Sequence, residues 1–451
     1  MTGRGLLLAA AVAAALVSPF PGNAAELDLE SAIATALAQN PGLKAVEEIR
    51  RQVDGGVIEA RADAFPQLSF VGSWGQSRSP SLLNSPDFED ILAQFPGGFD
   101  PSVQELSVAQ IQVSQPLYRF GKIAAAVDLA EYVVQAADAQ IATARLDTAL
   151  AAAEAYFGVL AAREGLQTVE SEREFRRHDL DRIEDLLEIG EATELERLRA
   201  VSALAVVEPE VERRKGQVAI AETRLRQVLG LEPSQPFELA SGRGELAEAP
   251  PPERLLELAL ATRPELDDLA KQALAYERQK RIFRAEGLPQ IDATGSWGRE
   301  VRLVDDFSDP QFDAWAFGVG LRLDFFDGGR RKGQIAQAES QRQQLVLQRA
   351  DLEARIRLEV DQSLTDYRTA RARAASARVA ADAAREAVRV SRESYEQGVA
   401  TQTDLLDAQR QAVLAEVTAV ESFYDARIQA SRLARAVGKT PTVIWAQQVN
   451  P

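Results

Sequence analysis

The sequence contains the same unit twice with almost no gaps, and this duplication limits the folds that the chain can adopt. Pro41 and Pro264 lie in matching Ala-x-x-Pro-x-Leu segments that are 223 positions apart. The Gly-Ser-Trp-Gly segments at 72–75 and 295–298 keep the same offset. Self-similarity at a fixed offset predicts one structural unit built twice along the chain.

The offset between the copies falls from 223 to 208 between Trp74 and Gly121, which leaves fifteen extra residues in the first copy. They fall in a stretch rich in Pro, Gly and Ser, residues 77–101, and insertions of this kind belong in exposed loops. A second Pro- and Gly-rich stretch, residues 232–252, separates the copies and is predicted to be a linker. We therefore expect repeat 1 at 26–231, repeat 2 at 253–440 and a C-terminal tail at 441–451.

The first 25 residues have the features of a secretory signal peptide. Arg4 precedes an apolar run from Leu6 to Val17, and small residues follow at Ala24 and Ala25. The run is about twelve residues long, which is short of the ~20 that a membrane-spanning helix needs. Cleavage after either alanine would leave no cysteine at the new terminus, so we expect no lipid anchor.

Composition argues against several functional classes. A formal net charge of -17 gives no basic excess with which to neutralise the phosphates of a nucleic acid. Cysteine is absent, and the single histidine, His178, lies in a charged stretch where we expect a solvated side chain. Thiol chemistry and the commonest transition-metal sites are therefore not expected. Catalytic and phosphate-binding motifs are also missing, so we expect neither an enzyme nor a cofactor.

Within each copy, two short segments alternate apolar and polar residues with period two, which predicts β-hairpins at about 67–117 and 290–326. In the last segment the apolar residues are Trp315, Phe317, Val319, Leu321, Leu323 and Phe325. Each strand is about ten residues long, the length that crosses a bilayer when the strand is tilted. For the strands alone, a soluble β-sandwich with one buried apolar face remains an alternative.

Four strands are too few to close a transmembrane barrel, because the smallest such barrels have about eight. No segment after the N-terminal run is apolar for long enough to span a membrane as a helix, so a membrane form of the chain would have to be a β-barrel. An open sheet edge in lipid leaves backbone N–H and C=O groups without partners. Several subunits would therefore have to share one barrel.

After each hairpin comes a segment with an unusually long helical pattern, from about Ile123 to Glu188 and from Gly333 to Gln397. At ~1.5 Å per residue, each helix would approach ~100 Å. The apolar residues of the second helix follow a coiled-coil spacing and are Leu345, Leu352, Ile356, Val360, Leu364 and Tyr367. A generic rod or stalk is the alternative for the helices alone.

Both long helices end at a glycine, Gly190 or Gly398, which favours a left-handed C-cap. A Thr-x-x-acid pattern follows each glycine and predicts a capping box that starts a returning helix. The predicted capping residues are Thr193 and Glu196 in the first copy and Thr401 in the second. Each copy should therefore form an antiparallel helical hairpin with a tight tip, near residue 190 and near residue 398.

Several short motifs, in this order, resemble those of the TolC-like outer-membrane efflux family over essentially the whole mature chain. They include Phe65-Pro-Gln, Leu288-Pro-Gln, Gln115-Pro-Leu-Tyr118, Asp324-Phe-Phe-Asp-Gly-Gly329 and Gly398-Val-Ala-Thr-Gln-Thr-Asp-Leu-Leu-Asp407. The resemblance implies a mainly α fold with transmembrane β structure. It also implies a homotrimer with a twelve-stranded barrel in the outer membrane and a long α-helical tunnel through the periplasm. The tunnel tip would dock onto a periplasmic membrane-fusion adaptor of an inner-membrane pump.

The resemblance also assigns roles to residues at the tips. Asp404 and Asp407 match the acidic residues that narrow the tunnel entrance, and three chains would bring both carboxylates of each chain to one axis. Asp404 has an equally good interpretation as the acid of the capping box. The positions that contact the adaptor would be Ile189, Gly190, Glu191, Gln397, Gly398 and Val399. Glu191 departs from the apolar residue that the family usually has after this glycine.

These features predict the exit duct of a tripartite efflux or type I secretion system, a passive conduit gated at its periplasmic tip. The alternative from another class is a non-conducting coiled-coil scaffold anchored in the outer membrane, and a soluble periplasmic enzyme is a third possibility. The strict duplication and the paired capped tips favour the duct. Drugs, metal ions and unfolded polypeptides would leave the same signature, so the sequence indicates no substrate.

Overall fold

The computed structural model describes residues 26–78, 103–240, 244–301 and 308–441. The predicted signal peptide, most of the predicted loop at 77–101 and the tail after Pro441 are therefore outside the described residues. The chain divides into two compact units. Unit 1 comprises the chain up to Lys44, Ala144–Arg263 and the chain from Arg355, and unit 2 comprises Ala45–Thr143 and Pro264–Ala354.

The described elements follow the same order twice, two short helices, two strands and two long helices. The first set is α1 (Leu29–Gln39), α2 (Pro41–Ala62), β2 (Gln67–Arg78), β3 (Val103–Tyr118), α3 (Lys122–Glu188) and α4 (Glu194–Leu229). The second set is α5 (Pro252–Thr262), α6 (Pro264–Ala285), β5 (Gln290–Val301), β6 (Asp313–Arg322), α7 (Arg330–Glu396) and α8 (Gln402–Ala436). Two short strands, β1 (Glu26–Leu27) and β4 (Glu238–Leu239), and one turn of 3-10 helix (Pro310–Phe312) complete the described elements, so the fold is mainly helical.

Unit 2 contains a four-stranded antiparallel sheet in the order β2-β3-β5-β6. The register aligns Phe70, Ile111, Trp297 and Trp315 in one row across all four strands. Because successive side chains of a strand point to opposite faces, this register gathers the apolar residues of each strand on one face. That face is exposed in the single chain, and Trp315 and Phe317 are 77% and 75% exposed.

The last strand is shorter than the alternation predicted. It ends at Arg322, which pairs with Gln290, the first residue of β5. Leu323 and Phe325 were expected in the strand, but they lie beyond it because β5 offers no further backbone partner. The following helix α7 begins at Arg330, before the expected start at Gly333, because the Asp327 carboxylate accepts hydrogen bonds from the first free backbone N–H groups.

Helices α3 and α7 each have 67 residues, so each is ~100 Å long at ~1.5 Å per residue. Five of the six residues predicted for the apolar seam of α7 are buried, among them Ile356, Val360 and Leu364 at no more than 3% exposure, while Leu352 is half-buried. Helix α4 carries Pro209 in its interior, a residue that removes one backbone donor and favours a bend. Among the described residues, no helix combines the length and the apolar character that a membrane crossing requires.

The core of unit 1 is built around three aromatic residues, Tyr156, Phe157 and Tyr424, which are buried together with alanines of α3. Burial raises the pKa of Tyr156 to about 12. Its hydroxyl donates a hydrogen bond to the Ala240 carbonyl at 2.9 Å, in the segment predicted to be a linker. Phe237 of the same segment is also buried in this core.

The segment between the copies is thus part of the packed core of unit 1 rather than a free connection. Its strand β4 pairs in parallel with β1, next to the start of α1. Farther along, the Tyr367 hydroxyl donates to the Ala247 carbonyl. Composition did not predict this packing, because Pro and Gly indicate an irregular backbone without indicating what contacts it.

A glycine at the end of each returning helix touches the end of a short helix of the same copy. Gly230 has φ +71°, and a Cβ on it would lie 2.6 Å from the Gln39 carbonyl oxygen. Gly438 has φ +72°, and a Cβ on it would lie 2.8 Å from the Thr262 hydroxyl oxygen. Both positions therefore require glycine for its conformation and for the close approach.

We expect Gly230→Ala to lower the thermal stability of the protein more than Gly190→Ala. Both glycines have positive φ, so both variants carry a left-handed strain of about 1–2 kcal/mol. Only the new methyl group at position 230 meets backbone atoms, since a Cβ at Gly190 meets nothing within 4 Å. The measurement is the midpoint of the loss of helical circular dichroism in detergent. Equal shifts for the two variants would contradict the close contact with Gln39.

Candidate functional site

The tip of the first helical hairpin is a tight turn between α3 and α4. Gly190 has φ +82°, and the N–H groups of Glu191 and Ala192 both donate to the Leu186 carbonyl. This pattern satisfies the last free carbonyls of α3, as in a glycine C-cap. A capping box follows, in which the Thr193 hydroxyl accepts from the Glu196 N–H at 3.3 Å, and the Glu196 carboxylate accepts from the Thr193 N–H at 2.7 Å.

The second tip, between α7 and α8, has the same hydrogen bonds 208 positions later. Gly398 has φ +73°, and the two N–H groups after it both donate to the Ser394 carbonyl. The Thr401 hydroxyl accepts from the Asp404 N–H at 3.3 Å, and the Asp404 carboxylate accepts from the Thr401 N–H at 2.9 Å. The duplication therefore extends to single backbone hydrogen bonds at the tips.

The two carboxylates of the capping boxes are held in their charged form. Asp404 accepts from the Thr401 hydroxyl and N–H, and these hydrogen bonds lower its pKa below the ordinary 3.8. The Thr193 N–H, and then its hydroxyl, lower the pKa of Glu196 below 4.5. Because both carboxyl groups have lower pKa values in the folded protein, the caps stabilise the fold fully at any pH above the ordinary pKa values. This stabilisation is lost as the pH falls through the lowered pKa values.

Asp407 lies one turn farther into α8 and takes no part in the cap. It is exposed, and its carboxylate accepts a hydrogen bond from Arg410 at 3.3 Å. Spaced three residues apart on one helix, Asp404 and Asp407 lie on neighbouring parts of its surface. The two acids thus differ in their bonding, since Asp404 is bonded to the Thr401 backbone and hydroxyl and Asp407 to an exposed arginine side chain.

The six tip positions assigned by the family resemblance are all exposed. Ile189 directly precedes Gly190 at the first tip and is 68% exposed. Val399 directly follows Gly398 at the second tip and is 80% exposed. Glu191 stands after Gly190 in the place that Val399 takes after Gly398. The two tips therefore share a backbone and present different side chains, one acidic and one apolar.

Two contacts join the first hairpin to the second close to the tips. Gln402, which is 4% exposed, donates from Nε2 to the Glu196 carbonyl at 3.2 Å and so connects α8 to α4. The Arg182 guanidinium lies over the Tyr395 ring at 5.8 Å and so connects α3 to α7. Arg182 also donates to the Asp179 carboxylate at 2.9 Å. Motif reasoning missed these residues, because neither tyrosine nor glutamine belongs to a cap.

Helix α8 has polar residues in its buried seam. Gln402, Leu405, Gln409 and Ala412 follow a three-four-three spacing, and all four are buried. Both side-chain polar atoms of Gln409 and the Oε1 of Gln402 have no hydrogen-bond partner among the described residues. Polar residues at seam positions of a coiled coil fix its register and reduce its stability. The heptad spacing was the sequence signal that would have found them.

The only histidine, His178, is exposed, and its Nε2 lies 3.5 Å from the Glu174 carboxylate. This geometry agrees with the predicted solvated side chain. Within the parts of the chain that the structure describes, no group of three or more His, Cys, Asp or Glu residues is placed to hold a metal ion.

A family model described as "Outer membrane efflux protein" matches residues 32–231 and 255–439. The chain belongs to this outer membrane efflux protein family. The two matched segments each contain one set of the repeated elements. Membership confirms the TolC-like resemblance and places the chain in the outer membrane.

Individual relatives are distant in sequence and close in fold. The chain is 25% identical to outer membrane protein OprJ of Pseudomonas aeruginosa over 389 residues, 84% of this chain and 77% of that protein. A membrane protein from Pseudomonas aeruginosa of known crystal structure matches with a TM-score of 0.74 at 23% identity, covering 91% of this chain and 90% of the other. The open state of the Neisseria gonorrhoeae MtrE outer membrane channel matches with a TM-score of 0.73 at 18% identity, covering 92% and 89%.

We expect Thr401→Ala and Thr193→Ala each to loosen the first turn of the returning helix at their own tip. Loss of a threonine N-cap costs about 1 kcal/mol, which corresponds to roughly fivefold faster amide exchange. Hydrogen–deuterium exchange at residues 402–405 and 194–197 measures the effect separately at each tip. Thr403→Ala is the matched control, because Thr403 is exposed and lies outside the capping box. A response at the other tip, or an equal response to the control, would contradict local capping.

Proposed function

We propose that three copies of the chain form the outer-membrane exit duct of a tripartite efflux or type I secretion system. The observation that carries this proposal is the sheet of unit 2, whose exposed apolar face is opposite a face of small and polar residues. On β6 the second face holds Ala316, Gly318 and Gly320, and on β5 it holds Asp292, Thr294 and Ser296. An apolar outside and a polar inside are what a water-filled membrane barrel requires.

The strand order supports a barrel shared among subunits. β2 and β6 are the outer strands of the sheet, so each has one side without a strand partner within the described chain. Lipid offers no hydrogen bonds to those backbone groups. Pairing β6 of one subunit with β2 of the next satisfies both edges. Three subunits then supply twelve strands, a number above the minimum of about eight.

The helical hairpins would form the periplasmic tunnel. Its gate would be formed by the ends of α3, α4, α7 and α8 near the tips. In this proposal the contacts from Gln402 to Glu196 and from Arg182 to Tyr395 hold the two hairpins of a chain together in the closed state. Opening would separate the hairpins and break both contacts. The unpartnered polar atoms of Gln409 support this assignment, because they make the closed seam less stable than an apolar one.

The acidic residues near the second tip would set the charge of the entrance. Asp407 is the stronger candidate for a ring of carboxylates, since within the described residues its partner is the exposed side chain of Arg410. Asp404 would add to the same field while it caps α8. A ring of carboxylates favours cations and disfavours anions at the mouth of a pore.

The exposed tips would bind a periplasmic adaptor of an inner-membrane pump, which would supply both substrate and energy. The duct itself would catalyse no reaction. Ile189 and Val399 offer apolar contacts, and Glu191 offers a charged contact at the first tip only.

Photo-crosslinking from Gln397 of the intact protein tests this docking. A crosslink to the adaptor subunit at that position, and none from the exposed distant position Ile220, is the expected result.

We expect Asp407→Asn to reduce the cation selectivity of the reconstituted protein, with a larger effect for the Asp404→Asn/Asp407→Asn double variant. In the proposed trimer the single variant removes about three carboxylates from the entrance, and the double variant removes about six. The measurement is the reversal potential in planar bilayers under a salt gradient. Asp382→Asn is the control, because Asp382 is an exposed acid of α7 at a distance from the tip.

The same recordings separate the duct from a non-conducting scaffold. A trimer that stays sealed, both unmodified and as the Asp404→Ala/Asp407→Ala variant, would favour the scaffold. A conducting trimer whose selectivity is the same in all variants would leave the duct in place and refute the acidic ring.

We expect Arg182→Ala to increase the open probability of the trimer, because it removes the contact with Tyr395 and the ion pair with Asp179. Arg177→Ala is the matched control, since it removes the same charge from an exposed position of the same helix. Single-channel recordings at one salt concentration compare the open probabilities of the two variants. Equal open probabilities would show that the arginine does not hold the gate.

A further inference from the structure

A cavity of about 470 Å³ lies between α2, α3 and α6, and all the residues that line it belong to unit 2. Its apolar walls include Ile49 and Val53 of α2, Leu129 and Val133 of α3 and Ala275 of α6. Binding sites for small molecules have volumes of ~300–1,000 Å³ and mainly apolar walls with a few polar groups. The cavity therefore has the size and the kind of wall that such a site requires.

None of the residues that line the cavity is charged, although 26% of the residues of the chain are charged. On α3 the lining residues Leu129, Val133 and Gln140 lie four and seven positions apart, which places them on one face of the helix. Glu131 and Asp138 lie on another face of α3 and pair with arginines of α2. Burial of a charge without a partner is strongly disfavoured, so a lining of this kind selects neutral molecules.

The polar part of the lining consists of three glutamines, Gln140, Gln272 and Gln279, and of Tyr276. Gln140 and Gln272 both donate from Nε2 to the Asp268 carboxylate, at 3.3 Å and 2.7 Å. Both amides keep Oε1 as an acceptor, and a tyrosine hydroxyl can donate or accept. The lining can therefore accept a hydrogen bond from an N–H or O–H group of a ligand.

The three walls of the cavity overlap over a short distance. The part of α2 that lines it, from Ile49 to Val53, is ~6 Å long at ~1.5 Å per residue. The corresponding part of α6, from Gln272 to Gln279, is ~10 Å long on the same scale. A compact molecule with rings fits within this length, whereas an extended alkyl chain would reach beyond the enclosed part.

Ion pairs show that α3 and α6 are the inner helices of a row of four in unit 2, in the order α2, α3, α6 and α7. The pairs are Arg61–Glu131 between α2 and α3, Arg278–Asp128 between α3 and α6, and Lys280–Glu339 between α6 and α7. A neighbouring subunit that packs against the outer helices leaves the middle of the row uncovered. Val133 lies there on α3 and is 39% exposed, so the cavity stays accessible from solution.

We propose that this cavity binds a compact neutral molecule that has an apolar ring system and an N–H or O–H donor. The rings contact the apolar walls, and the donor forms a hydrogen bond with a glutamine oxygen or with the Tyr276 hydroxyl. Such binding requires neither the barrel nor conduction, and so goes beyond the proposed function.

Protection of a single cysteine tests the site, because the chain contains no native cysteine. The intact protein in lipid nanodiscs carries Val133→Cys, and the rate of labelling by a water-soluble maleimide is measured. The probe is N-phenyl-1-naphthylamine, a neutral molecule that has aromatic rings and one N–H donor. Gln135→Cys is the matched control, because Gln135 is exposed two residues along α3 and is not part of the lining.

We expect the probe, at ~10 times its half-protecting concentration, to slow the labelling of Val133→Cys ~10-fold. The labelling of Gln135→Cys should not change. Absence of protection at Val133→Cys, or equal protection at Gln135→Cys, would overturn the proposal.

Two further compounds test the chemical class of the ligand. The anion 8-anilino-1-naphthalenesulfonate has the same rings as the probe, and we expect it to need a ~10-fold higher concentration for the same protection. Equal protection by the two compounds would overturn the preference for neutral molecules. Monolauroylglycerol is a neutral lipid with one alkyl chain, and protection by it but not by the probe would assign the cavity to lipid and overturn the proposal.

Filling the cavity tests its location independently. Val53→Trp, combined with Val133→Cys, fills it from the half-buried wall of α2, and we expect protection by the probe to be lost. Val57→Trp is the control, because Val57 lies one turn farther along α2 and outside the lining, and it should retain the protection. Ala275→Leu fills the cavity from α6, and helical circular dichroism checks the fold of each variant. Protection that survives both fillings would overturn the proposal, and this outcome is independent of whether the protein conducts.

Discussion

The backbone groups at the two edges of the four-stranded sheet are the constraint on which the rest of the structure depends. The hydrogen-bonding groups of a sheet edge need partners, and in lipid those partners must come from another strand. In the proposed function the apolar face of the sheet lies in the outer membrane, where water cannot supply partners to these edges. The proposed association of subunits, the tunnel and the ring of carboxylates all follow from closing that sheet.

Duplication gives the chain two hairpins with one backbone and different side chains. The turn hydrogen bonds at Gly190 recur at Gly398, and each returning helix ends in a glycine pressed against a short helix. At the tips the differences lie in the side chains, such as Glu191 against Val399. A common backbone lets the two hairpins pack side by side, while the substitutions give only the second tip its pair of aspartates.

Local sequence patterns predicted the elements, and they failed where distant residues meet. Capping boxes and glycine C-caps depend on a few adjacent residues, so Thr193 and Thr401 could be placed from the sequence. The burial of Gln402 and the contact of Arg182 with Tyr395 depend on how two hairpins pack, which no local pattern encodes. Likewise β6 ends at Arg322 because its partner strand ends there, although the alternation continues to Phe325.

The polar seam of α8 has a consequence for the work needed to separate the hairpins. A buried amide group without a partner is disfavoured by about 1–3 kcal/mol relative to water. In the proposed opening, Gln402 and Gln409 would recover that hydration when the hairpins part, which would offset part of the free-energy cost of the apolar surface exposed at the same time. A docked protein would then have to contribute only a modest binding energy to widen the proposed aperture, and the aperture would reclose once that protein leaves.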